Sequence, residues 1–130
     1  MAKVSVGKTF EFAAAHRLFR SEWSNEKNLE VYGKCSGSSG HGHNYRLEVT
    51  VEGLPDPQTG FAYDASALDK LVTKEVLSKL DHKNIDTDVE WFSNRPSTVE
   101  NIVNFIWEQL NELINKNGSC LFNICRALTL

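Results

Sequence analysis

The sequence predicts an α+β fold, with two helices laid on one face of a largely antiparallel four-stranded sheet. Three observations carry that expectation. Apolar residues alternate with small or polar ones from Val4 to His16, they alternate again from His43 to Val51, and two later stretches show apolar residues at helical spacing. A chain of 130 residues suits one domain, residues 1–130, and leaves little room for two.

In the first stripe the even positions read Val4, Val6, Lys8, Phe10, Phe12, Ala14 and His16. This is a strand with one buried face. Residues 20–40 are polar, with glycines toward the end and a short helical turn expected around Glu26–Tyr32. The second strand turns His43, Tyr45, Leu47, Val49 and Val51 to one side and Asn44, Arg46, Glu48, Thr50 and Glu52 to the other. Residues 53–60 contain two prolines and read as a turn, after which a third strand is expected to begin at Phe61–Tyr63.

The first helix is expected from about Ala65 to Leu80, with Leu68, Leu71, Val72, Val76 and Leu80 on or near one face. The second carries Val99, Ile102, Val103, Ile106, Trp107, Leu110, Leu113 and Ile114, a stripe at i, i+3, i+4, i+7. Ser97 with Glu100 three residues on predicts a capping box at its start. Asn117-Gly118 is expected to end it, and residues 121–130 read as the last strand. The edges of such a sheet invite pairing between subunits.

An apolar share of 41% and a charged share of 24% are a folded, globular balance. The net charge of −3, with signs interspersed, gives no basic footprint for nucleic acid. No apolar run approaches the roughly eighteen residues of a membrane span. The start opens on a strand pattern rather than a signal peptide. Three cysteines are too sparse for a disulfide framework, so a reduced, cytoplasmic protein is expected.

His41 and His43, two apart on a strand, point to the same side, the one shared by Tyr45, Leu47, Val49 and Val51. His16 closes the apolar stripe of the first strand. Two neighbouring strands thus aim three imidazoles at one point, as in a zinc site with an open fourth position. The competing reading is a set of hydrogen-bonded core histidines. Cys35, in the loop of residues 33–40, is open as a fourth ligand, as a nucleophile or base beside the metal, or as an inert thiol. Cys120 and Cys125, in or beside an apolar strand, fit the inert reading better. Asp81-His82 falls at the expected end of the first helix, where an acidic neighbour can orient or charge the ring. The plainer reading there is a solvated helix cap.

The stretches FEFAAAHRL (10–18), EKNLEVYGKC (26–35), GHGHNYRLEVTV (40–51), LDHKNIDTDV (80–89) and PSTVENIV (96–103), in this order, resemble the 6-pyruvoyl-tetrahydropterin synthase family over nearly the whole chain. The resemblance implies zinc on His16, His41 and His43. It makes Cys35 the catalytic thiol, with Asp81 and His82 as its partners in proton transfer, and puts Thr98 and Glu100 near the bound pterin. It also implies the tunnelling fold, in which subunits join their sheets into a barrel, usually a homohexamer of two trimers with sites between subunits.

The implied reaction is that of a lyase: 7,8-dihydroneopterin triphosphate becomes 6-pyruvoyl-tetrahydropterin with loss of triphosphate. A second branch of the family, 6-carboxy-tetrahydropterin synthase of the queuosine pathway, takes the same substrate but typically has a shorter gap before its HGH than residues 36–40 make here. A third reading is a non-enzymatic module with Cys35 closing a structural four-ligand zinc site. One departure stands out. The family's last strand normally runs into a Glu-Thr pair that clamps the pterin, whereas this sequence reads Ala127-Leu128-Thr129-Leu130. Either the clamp is absent or it lies beyond residue 130.

Overall fold

In the computed structural model, residues 2–115 are described with their side chains and residues 120–129 by their backbone. Strand β1 (Val4–His16) and strand β2 (His41–Gly53) form an antiparallel pair in unbroken register from Val4 opposite Gly53 to His16 opposite His41. The pairing puts the even positions of β1 and the odd positions of β2 on one face. There Phe10, Phe12, Tyr45, Leu47, Val49 and Val51 are buried. Strand β4 (Cys120–Thr129) adds to the far side of β2, also antiparallel.

The third strand is not where the sequence suggested. Residues 61–63 form no strand, because Asp56 Oδ1 collects the backbone N–H groups of Gln58 and Thr59 and the Phe61 carbonyl accepts from the Asp56 N–H. The turn holds the Phe61 backbone and leaves its side chain exposed, while Ala62 is buried and Tyr63 packs against the core without strand pairing. Instead β3 (Lys83–Asn84) pairs parallel with Ala14 and Ala15, so the sheet is mixed, in the order β3-β1-β2-β4.

Helix α1 (Asn25–Tyr32) is capped by Ser24, whose hydroxyl accepts the Lys27 N–H. Buried Asn28 ties it back to Arg20, accepting from its N–H and donating to its carbonyl. The expected 65–80 helix is continuous but uneven: α2 (Ala65–Val72), a π turn at Thr73–Leu77, then α3 (Ser78–Leu80). Its buried residues are Leu68, Val72, Val76 and Leu80, a strict spacing of four. In a regular helix that spacing drifts about 40° per step. The wider π turn takes up part of the drift and keeps the four on the sheet.

Two short pieces follow, α4 (Ile85–Asp88) and a 3₁₀ turn at Glu90–Phe92. Helix α5 (Val99–Asn115) buries Ile102, Phe105, Ile106, Leu110 and Ile114. Phe105 packs inward while Trp107, expected in the stripe, stays outside at 37% exposure. The expected end at Asn117-Gly118 lies outside the described residues. The buried residues of α2, α3 and α5 join those of β1 and β2 in one core. Each such side chain contributes about 1.5–3 kcal/mol by leaving water. The core thereby fixes the ends of β1 and β2, where the histidines sit.

Candidate metal centre

His16 is the last residue of β1 and His41 the first of β2, and they face each other in register, while His43 stands opposite Ala14. Gly40, which leads into β2, has φ +67°, and a Cβ there would lie 3.1 Å from the His16 carbonyl oxygen. Only glycine lets the chain turn this close to β1. The ring centroids are 4.6 Å apart for His16 and His41, 5.1 Å for His16 and His43, and 4.7 Å for His41 and His43. One ring nitrogen from each lies within 4.8 Å of the others, and Cys35 is not among the clustered donors.

The protonation of the rings suits metal binding. His16 Nδ1 lies 2.8 Å from the Ser97 carbonyl oxygen and 3.2 Å from its hydroxyl. A carbonyl only accepts, so Nδ1 carries the proton and Nε2 keeps its lone pair. His16 Nε2 and His41 Nε2 are buried without a hydrogen-bond partner among the described residues. Burial pushes the His16 pKa down, with His41 and His43 adding to the effect against the Ser97 bond and Asp86. Burial and then His41 push His43 down as well. The lowered His16 and His43 and the unpartnered Nε2 atoms of His16 and His41 suit a divalent transition metal, so the donor set fits one.

Beneath the cluster lies Tyr45, stacked on Phe12 and edge-on to His43. Burial, then Asp86, pushes its phenol up to about 12. Asp86 also accepts the Arg17 N–H at 2.6 Å, holding the chain just past His16.

Cys35 lies in a 3₁₀ turn, Gly33–Ser36, pinned to the end of β1 by two bonds: Leu18 N–H to the Cys35 carbonyl at 2.9 Å and Arg17 Nε to the Ser36 carbonyl at 2.7 Å. Its free thiol is half-buried. Asp81 and His82 are joined by a 3.0 Å contact between Oδ1 and Nδ1. They bracket Ala13, whose N–H donates to Asp81 and whose carbonyl accepts the His82 N–H. The Ala13 N–H, chiefly, holds the Asp81 carboxyl below its usual range against its partial burial, and His82 reinforces the shift. His82 has φ +60°, a left-handed conformation, and its side chain is exposed. It borders an open depression of about 550 Å³ with His43, Asn44 and Asn84.

The expected capping box is not the one that forms. Thr98, not Ser97, caps α5, its hydroxyl accepting the Asn101 N–H at 3.2 Å. Ser97 is fully buried and serves His16 instead. Glu100, in the first turn, is exposed. The chain therefore gathers three imidazoles and pairs Asp81 with His82, while Cys35 stands on a separate turn. Ser97 and Asp86 are site residues that sequence patterning missed, and Tyr45 it read only as a core residue on the histidine face. Cys120, Cys125 and the end at Leu130 lie outside the described side chains.

Fold and site define a class: an α+β chain whose paired strands end in a three-imidazole cluster fit for a metal. The family model for 6-pyruvoyl tetrahydropterin synthase matches residues 5–125. The 6-pyruvoyl tetrahydrobiopterin synthase of Pongo abelii is 41% identical over 112 residues, 86% of this chain and 77% of that protein. That of Drosophila melanogaster is 44% identical over 105 residues, 81% of this chain and 62% of that protein's length. The structure of Caenorhabditis elegans 6-pyruvoyl tetrahydropterin synthase matches with TM-score 0.86 at 38% identity, covering 94% of this chain and 86% of that one. The chain belongs to the 6-pyruvoyl tetrahydropterin synthase family and is an enzyme of its lyase class.

Proposed function

We propose that this chain converts 7,8-dihydroneopterin triphosphate into 6-pyruvoyl-tetrahydropterin with release of triphosphate. The observation that carries the reading is the inward cluster of His16, His41 and His43 in a chain of this family. We take the ion to be zinc, the usual partner of three imidazoles with a position left open. Bound there, zinc supplies Lewis acidity that lowers the pKa of the substrate's side-chain hydroxyls and acidifies the neighbouring C–H.

The chain's own residues then divide the proton work. Cys35 Sγ takes and returns a proton at the substrate side chain, and His82 does the same from its imidazole. Asp81, kept ionised by the Ala13 N–H, orients His82 through the 3.0 Å contact at Nδ1. The net change is an internal redistribution followed by elimination, so no redox cofactor enters. To Glu100, exposed at the start of α5, we assign the acceptance of two pterin N–H groups side by side. Thr98 lies beside it, with its oxygen already holding the helix cap.

Cys35 hangs from a turn bonded at Leu18 and the Asp81–His82 pair from Ala13, which suits a site shared between subunits. We place the chain, a single domain over residues 1–130, in a homohexamer of two trimers whose sheets join into a barrel. A free thiol at the site suits the reducing cytoplasm, and no described helix is long and apolar enough to cross a membrane. The test is product analysis by mass after incubating zinc-loaded protein with dihydroneopterin triphosphate. A 6-pyruvoyl product with free triphosphate is expected; a 6-carboxy product, or none, would overturn the assignment.

A further inference from the structure

Asn101 closes the first turn of α5 twice over. Its backbone N–H donates to Thr98 Oγ1 at 3.2 Å, and its side-chain Nδ2 donates to the Pro96 carbonyl at 2.8 Å. The Thr98 carbonyl in turn accepts the Ile102 N–H at 2.9 Å. Between the two anchored residues lies Ser97, fully buried, with its carbonyl oxygen 2.8 Å from His16 Nδ1. The Ser97 hydroxyl lies 3.2 Å from the same nitrogen and can donate to the Arg17 carbonyl at 3.5 Å, so it also accepts from the ring. A peptide carbonyl orients an imidazole only as firmly as the peptide itself is held. Here the residues on both sides of Ser97 are held by one side chain and its own backbone.

We propose that Asn101 is a positioning residue for the metal site: by clasping Pro96 and Thr98 it sets the Ser97 carbonyl against His16 and so fixes the ring with Nε2 turned toward His41 and His43. The proposal rests on the metal reading of the cluster. Partners that orient a ligating histidine through its second nitrogen typically matter by about 10–100-fold in metal affinity. Asn101 acts one step further out, through the peptide that supplies the partner.

The obvious rival is that Asn101 merely stabilises the helix start. Asn101→Asp separates the two. It keeps the backbone bond to Thr98 and adds a negative charge where a helix N-terminus favours one, but its carboxylate cannot donate to Pro96. We expect Asn101→Asp and Asn101→Ala both to weaken zinc binding about tenfold or more, measured by competition with a chromophoric chelator. In the metal-free protein, nitrogen-15 shifts of His16 should change from one tautomer, protonated at Nδ1, to a mixture. An Asp variant with wild-type zinc affinity, or one that loses affinity with its His16 tautomer intact, would overturn the proposal. If the parent protein binds no zinc, the metal reading fails by itself, and the tautomer measurement still decides what Asn101 does.

Discussion

His16 and Ser97 meet across 81 positions of sequence, the imidazole Nδ1 donating to the Ser97 carbonyl at 2.8 Å. That bond fixes which nitrogen of His16 is left for a metal. His41 Nε2 is likewise buried and unpartnered among the described residues. We expect about one zinc per chain, bound by three neutral imidazoles. Elemental analysis of His16→Ala and His41→Ala should show the metal lost. Full occupancy in both variants would remove the site from these residues.

Much of this site was legible in the alternation of β1 and β2, because a period of two fixes which side chains share a face. The pairing of His16 with His41 follows from two stripes that both end in histidine. The same patterning could not find Ser97. A serine three residues before a glutamate looks like a cap, and only the packing of α5 against the end of β1 shows that Thr98 caps and Ser97 serves the ring. Nor could it place β3, two residues long and held by pairing with Ala14 and Ala15 rather than by any apolar stripe. Trp107 fell into the helical stripe by spacing, yet Phe105 is the residue the core admits.

Cys35 stands outside the metal cluster, so its loss should leave the metal in place. Cys35→Ala is expected to keep its zinc and its fold while turnover falls by roughly 10²-fold or more, the range for a positioned acid-base group. Steady-state rates alongside metal analysis check this. Zinc lost together with the fold would favour a structural four-ligand site.

Asp81 gives a pH test. Its folded-state carboxyl titrates below the ordinary 3.8, chiefly because the Ala13 N–H donates to it. A depressed acid stabilises the folded chain fully above its unfolded-state pKa, and that contribution fades as pH falls through the lower folded value. Metal-free Asp81→Asn should therefore be less stable than the parent at neutral pH, with the gap closing only below about pH 4. Urea titrations at several pH values measure the gap. A difference that stays constant into acid would show that the carboxylate's charge is not what the Ala13 contact uses.

His82 joins β1 at Ala13, whereas the turn that holds Cys35 joins the chain at Leu18, past the end of β1. If the site is shared between subunits, inactive Cys35→Ala and inactive His82→Ala chains should complement each other. Mixing them under conditions that exchange subunits is expected to restore part of the activity through hybrid sites. Each single variant should retain zinc. Well-exchanged mixtures that stay inactive would count against a site drawn from two chains.

The last prediction concerns Glu100. A pterin presents a flat array of N–H donors, and one carboxylate can accept two of them in parallel. Buried donors left unpaired cost about 1–3 kcal/mol each. Glu100 is free for this task because the cap it was expected to complete is made by Thr98 instead. Its carboxylate is exposed in the first turn of α5, close along the chain to the Ser97 that holds His16. Glu100→Gln keeps the shape but trades one acceptor for a donor that opposes the pterin's own. We expect binding of a pterin inhibitor to weaken by about tenfold or more, at roughly 1.4 kcal/mol per decade. The cost to folding should stay near the 0.3–1 kcal/mol or so of a charge at a helix start. Calorimetry of the inhibitor and thermal unfolding of the same samples separate the two effects. Unchanged inhibitor affinity would assign the acceptor to a carboxylate other than Glu100.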